Sequence, residues 1–248
     1  MEGDHTGYES ERRNLERNFK GKTDKIKRQY ELFWQQATAK ADVDAYLNAV
    51  ADHDYPKLPK WISKVTPFTH WKGPCFAESD RALLIGNRAS FDTVQYDKPE
   101  QAGMSMIHLL CIPKTGIFNG VGLDSGSVSI IDHMVQLFKS AWTDAETRRG
   151  VLCHQREAIE RRNQENPDEE AHATAMEHYG ELEDMIDDLG PDDFHFGLHL
   201  WPDHSVGHLH LHVIAAPWAC RQYSTSHHDK KTKDAFEVRD YIKSVANA

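Results

Sequence analysis

Three histidines alternate with aliphatic residues in His208-Leu209-His210-Leu211-His212, and the run continues apolar through Val213-Ile214-Ala215-Ala216 until Pro217 stops it. A period of two puts every second side chain on one face of a β-strand. His208, His210 and His212 then share a face, while Leu209, Leu211 and Val213 cover the other and anchor it to a core. Strands hold side chains more firmly than loops do, so such a row is a prepared site. Three chemistries suit it. Ring nitrogens ligate zinc or non-haem iron. An imidazole near its ordinary pKa of about 6.5 is neutral at pH 7 and attacks phosphorus without a separate base, a neighbouring histidine orienting it. The same row can also hold an anion without reacting. The plain alternative is a half-exposed strand that happens to be histidine-rich, in a chain with 16 histidines. Strict alternation argues against it.

The elements that must position this row are readable in outline. A strand over residues 194–201 leads through the loop Pro202-Asp203-His204-Ser205-Val206-Gly207 into the histidine strand. Upstream, Cys75-Phe76-Ala77 and Ala82-Leu83-Leu84-Ile85-Gly86 read as strands, Phe91 to Tyr96 alternates weakly, and Asp97-Lys98-Pro99 reads as a turn. Met104 to Ile112 is a third apolar run, closed by Pro113-Lys114. Between the two halves the period becomes helical. One helix is expected from Val128 to Ala141, and a second is capped by Thr143 with Glu146 and runs to about Arg162. A third starts at Pro167-Asp168 and stops at Leu189-Gly190-Pro191. A last amphipathic helix spans Asp234 to Val245.

Charge is unevenly spread over the 248 residues, whose formal net charge is -10. From Arg12 to Arg28 there are eight basic residues against Glu16 and Asp24, at the start of one or two amphipathic helices over about residues 9–52. A solvated helix face is the first reading of that basic end, and a phosphate-backbone or acidic-partner contact the second. Glu157 to Asp193 holds fourteen acidic residues and two basic ones, read as the solvated face of its helices. Pro56, Pro59 and Pro67 punctuate a linker whose Trp61, Phe68 and Trp71 pack the N-terminal helix or line a base pocket. Net acidity argues against the whole surface being a nucleic-acid platform. No apolar stretch has transmembrane length, and no apolar region follows the polar N-terminus, so neither a membrane span nor a secretory signal is expected. Cys75, Cys111, Cys153 and Cys220 lack CxxC spacing and suit buried, reduced thiols in the cytoplasm or nucleus.

His208-Leu209-His210-Leu211-His212-Val213-Ile214 matches in full the HφHφHφφ signature of the histidine triad (HIT) superfamily. Ser205-Val206-Gly207-His208 resembles the Ser-Val-x-His entry of its Hint-like branch, and His108-Leu109-Leu110-Cys111-Ile112-Pro113-Lys114 resembles the His-φ-φ-φ-Ile-Pro-Lys strand. Gly197-Leu198-His199-Leu200-Trp201-Pro202 is similar to the Gly-x-His-x-x-Pro stretch of aprataxin and the related stretch of scavenger decapping enzymes. Five residues separate Pro202 from His208 where those relatives usually have three.

The resemblance covers about residues 74–218 and implies an α+β, HIT-like fold, an antiparallel sheet with helices packed on it. It divides the chain into an N-terminal helical extension (1–60), a HIT-like domain (61–220) with a long helical insertion (about 128–189), and a C-terminal helix (221–248). It implies a nucleotide hydrolase or nucleotidyl transferase. His210 would attack the α-phosphate of a phosphoramidate, adenylylated, dinucleoside polyphosphate or cap-like substrate and form a nucleotidyl-histidine. His208 and His212 would set its tautomer and bind the phosphate, and His199 would contact the phosphate or leaving group. Ser205 would sit by the leaving atom and Asp97 by the ribose. No cofactor and no metal are implied, although the row is also compatible with zinc; a structural zinc finger at Cys220, His227 and His228 is not expected, those histidines reading as a solvated loop. The implied partner is a small-molecule nucleotide, with nucleic acid admitted but not favoured, and many relatives are homodimers. A non-catalytic nucleotide-binding module and an aprataxin-like processor of nucleic-acid ends are the alternatives.

Overall fold

The computed structural model describes Leu15 and residues 17–36, 39–52 and 75–246. The proline-rich linker with Trp61, Phe68 and Trp71, and the basic residues Arg12 and Arg13, lie outside the described residues. The chain is α+β, built on one open, wholly antiparallel sheet. Its strands are β1 (Cys75–Glu78), β2 (Ala82–Gly86), β3 (His108–Pro113), β4 (Phe194–His199), β5 (Leu211–Ala215) and β6 (Thr232–Asp234), in the spatial order β1-β2-β3-β5-β4-β6. The helices are α1 (Thr23–Trp34), α2 (Ala39–Asp52), α3 (Ile130–Trp142), α4 (Ala145–Glu165), α5 (Glu169–Met185), the short α6 (Trp218–Arg221) and α7 (Ala235–Ala246).

Period-two alternation sorts the two faces of the sheet. In the register Leu110↔His212↔Gly197 and His108↔Ile214↔His195, paired residues point the same way, so His108, His212 and His199 belong to one face. Leu84, Leu109, Leu211, Val213, Phe196 and Leu198 point to the other and are buried in the main core. On that face α3 lies across β1, β2 and β3, and α7 lies on β4 and β6. Phe138 and Trp142 of α3 meet Phe194 edge-on at 4.7 Å. The Trp142 indole N–H donates to Leu189 O (2.7 Å), so a large aromatic is buried with its one donor satisfied. The expected C-terminal segment contributes more than a helix, because β6 joins the sheet beside β4.

Several local expectations shift. The second helix of the insertion is capped by Asp144, whose carboxylate accepts from Glu146 N, and not by Thr143. Thr143 is the C-cap of α3, and its hydroxyl donates to Ser140 O. Phe91 to Tyr96 forms no strand. Asp92 instead caps a single 3-10 turn at Thr93–Gln95, the short polar side chain competing with the backbone ladder. The apolar run from Met104 becomes strand only at His108, and the strand from Phe194 ends at His199. Among the described residues the N-terminal pattern resolves into helical positions at Leu15 and 17–19 followed by α1 and α2, and α3 begins at Ile130. Cys111 and Cys220 are buried thiols, whereas Cys75 and Cys153 are exposed. No helix among the described residues is long and apolar enough to cross a membrane.

Candidate active site

A cavity of about 410 Å³ opens on the histidine face, lined by His108, His199, His210 and His212 together with Ser205, His228, Lys231 and the loop after β2. These four histidines are 5–8 % exposed; the strand expected from His208 begins only at Leu211, so His210 stands just ahead of β5. Cross-strand pairing brings them together: the rings of His199 and His212 lie 4.1 Å apart, His210 and His212 4.8 Å, and His108 and His212 5.2 Å.

The hydrogen bonds assign a proton to one nitrogen of each ring. The Nδ1–H of His210 donates to His208 O (2.8 Å), so the neutral ring carries its lone pair on Nε2. His108 Nδ1 receives two donors, Asn87 Nδ2 (2.8 Å) and Met104 N (3.3 Å). It must therefore accept, which puts the His108 proton on Nε2. That nitrogen lies 2.9 Å from His212 Nδ1, which accepts in turn and leaves the His212 proton on Nε2. His212 Nε2 is buried and has no hydrogen-bond partner among the described residues. An unmet buried donor costs roughly 1–3 kcal/mol. His199 Nε2 donates to Thr232 Oγ1 (3.0 Å), whose own proton goes to His228 O (2.8 Å).

Burial keeps this cluster neutral. Desolvation holds His210 down at about 4 and His108 at about 3. His212 and His199 also lie well below the ordinary histidine value, again through desolvation first. Neighbouring imidazoles, and the Lys231 ammonium, add to the depression. Among the described residues no group of three or more His, Cys, Asp or Glu side chains is arranged to hold a metal ion. The arrangement offers one imidazole lone pair, one unmet N–H donor and one ammonium around a single cavity, which suits an attack on a phosphate whose oxygens need hydrogen bonds.

Of the residues singled out from the sequence, His199, Ser205, His210 and His212 line this cavity. His208 does not. It precedes the ladder in an isolated bridge to Phe118, and its Nε2–H donates to Pro113 O (3.0 Å). Its backbone carbonyl accepts the Nδ1–H of His210. Asp97 is exposed and lines a different, small cavity with Asn163, Asn166 and Asp168, because the loop after β2 turns it away. Asn87, at the end of β2, takes part in the histidine cavity instead.

His108, Asn87, Lys231 and His228 were not legible as site residues. His108 sits in the Ile-Pro-Lys strand, and a histidine placed where two histidine-bearing strands pair is the one signal that points to it. His228, read as a solvated loop residue, is half-buried at the cavity, with its Nε2–H on Glu100 O (2.7 Å).

The basic N-terminal stretch has an internal task. The Lys22 ammonium donates to the carbonyls of Asp229 (2.9 Å), Lys230 (3.3 Å) and Thr232 (2.7 Å). Burial lowers it to about 8. Lys25 faces Asp203 at 3.7 Å. Lys22 thus fastens the loop that carries His228, Lys231 and Thr232 to the site.

The chain matches no known protein-family model, no curated protein and no solved structure. Fold and site together define an α+β protein with an open antiparallel sheet and a neutral histidine cluster in a cavity on the face opposite α3 and α7.

Proposed function

We propose that the protein is a nucleotide hydrolase or nucleotidyl transferase of the histidine triad type, acting at the α-phosphate of a nucleoside phosphate through His210. The observation that carries this reading is the His210 Nδ1–H bond to the His208 carbonyl, which leaves the lone pair of a buried, neutral ring on Nε2. In the first step Nε2 attacks phosphorus, the P–Nε2 bond forms and the bond to the leaving group breaks. The leaving group departs with its electron pair and takes a proton from Ser205 or water. The ring is then cationic, and the His208 carbonyl stabilises the charge through the retained Nδ1–H bond. His212 Nε2–H donates to a non-bridging oxygen, held as a donor by the relay from Asn87 through His108. In the second step water or another acceptor attacks phosphorus and gives its proton to Ser205 or to solvent, making good the proton lost in the first step; the P–Nε2 bond breaks, its electron pair returns to the ring, and neutral His210 is restored.

Turnover tests the reading. The wild type is incubated with AMP-phosphoramidate, ATP, a diadenosine polyphosphate and a cap dinucleotide, and nucleotide release is compared with His210→Ala. Release by the wild type, falling ~10³-fold or more in the variant, is expected for loss of a nucleophile. Nucleotide bound tightly with no product from any substrate would leave a binding module and remove the enzyme.

A further inference from the structure

The insertion between Val128 and Leu189 does more than cover the sheet. From Glu157 to Asp193 the chain holds fourteen acidic residues and two basic ones, Arg161 and Arg162, at the end of α4. Both arrive at the same place. A second cavity of about 550 Å³ is lined by Arg88, Arg161, Arg162, Tyr96 and Glu165, and shares Asn87, Arg88, Ala89 and Gln101 with the histidine cavity. The two spaces therefore adjoin across the loop after β2.

We propose that Arg88, Arg161 and Arg162 form a second anion subsite, which takes a further phosphate group of a small two-ended nucleotide while His210 attacks the first. The proposal rests on the nucleotide reading above and deepens it. Three guanidiniums face one carboxylate there, in a chain whose formal net charge is -10. The Arg88–Glu165 contact is 3.4 Å long between side chains 77 % and 52 % exposed, so it neutralises little.

Arg161 Nη2 donates to Arg88 O (2.6 Å) and Arg162 Nε to Gln95 O (2.9 Å), each bond taking one of the five donors of a guanidinium. Arg162 also lies over the Tyr96 ring at 4.6 Å from its centroid. These contacts fix the forks in place. Cations at a helix C-terminus also suit its dipole, which accounts for Arg161 and Arg162 but not for Arg88, brought from the loop after β2. Gathering all three raises their mutual repulsion unless an anion enters, and the planar fork matches phosphate oxygens in pairs.

The test uses the full chain with Arg161→Glu and Arg161→Lys, whose folding is checked by thermal melting. The expected result is that Arg161→Glu raises KM for diadenosine tetraphosphate ~10-fold or more, leaves kcat within about twofold, and leaves AMP-phosphoramidate unchanged, with Arg161→Lys in between. Equal effects on both substrates, or on neither, overturn the subsite. A 5′-adenylylated oligonucleotide preferred over the dinucleotide by the wild type would overturn the small-molecule assignment. Calorimetric titration with inorganic tripolyphosphate separates the two readings. Binding kept by His210→Ala and weakened ~10-fold by Arg161→Glu supports the subsite even if no nucleotide is turned over, in which case only the catalytic reading fails. Binding indifferent to Arg161→Glu overturns the subsite alone.

Discussion

At His210 the tautomer of the ring is set by a neighbour's backbone. Its Nδ1–H rests on the His208 carbonyl, and burial holds the ring at about 4. The sign of the pH dependence follows. Protonation fills the Nε2 lone pair, so kcat/KM stays level from pH 8 to about 5 and falls as the pH drops through about 4; a fall centred near the ordinary histidine value would contradict a buried nucleophile. The Asn87–His108–His212 relay gives a second prediction. Asn87→Ala removes a donor from His108 Nδ1 and lowers kcat ~10- to 100-fold with KM little changed. Asn87→Asp costs more, because a carboxylate accepts a proton from His108 Nδ1, reverses the relay and strips the donor from His212 Nε2. Nitrogen-15 NMR of the ring tautomers checks it: Nε2–H at His212 in the wild type and Nδ1–H in Asn87→Asp, whereas unchanged tautomers would sink the relay.

Elements outside the histidine strand decide where these rings stand. Lys22, just before α1, binds three carbonyls of the 229–232 loop, and that loop supplies Thr232 to His199 and Lys231 to the cavity. Lys22→Met is expected to raise KM about tenfold and open the loop to protease, with the main melting transition retained. Proteolysis at the wild-type rate would contradict this role. From the opposite side, α4 reaches the loop after β2, where the His154 Nε2–H donates to Asn87 O (2.8 Å). Gly86 lets that helix approach, since a Cβ there would lie 2.1 Å from His154 Nε2.

That His199, Ser205, His210 and His212 belong together is legible because their signal is local, a period of two and a short motif, whereas His208 shares the motif and not the cavity. His108, Asn87 and Lys231 are not, because strand pairing and loop anchoring bring them in from 104, 125 and 19 residues away from His212. Asp97 fails for the same reason: a turn signal fixes a bend but not the side on which the loop lies. Thr143 and Asp144 are adjacent cap-forming residues, and only the geometry after α3 selects the carboxylate.

For the molecule as a whole, one helix-covered face supplies the core and the other gathers neutral histidines. That division couples stability to pH. The unfolded chain binds protons near pH 6.5 while the folded cluster resists them, so between about 6.5 and 4 the unfolded state holds more protons and stability falls as pH falls. His210 alone contributes a loss on the order of 2 kcal/mol between pH 7 and 5, and urea titrations at the two values read it. Equal stability at both would mean that the rings are hydrated and not buried.

The central claim is that His210 Nε2 forms a bond to phosphorus, and trapping that bond tests it most directly. Wild-type protein is mixed with AMP-phosphoramidate, quenched within the first turnovers and weighed intact by mass spectrometry, then fragmented. The expected result is the added mass of one adenylyl group on His210 in the wild type, and none in His210→Ala. An adduct on another residue, or product formed at the wild-type rate with no adduct at any time, would contradict it.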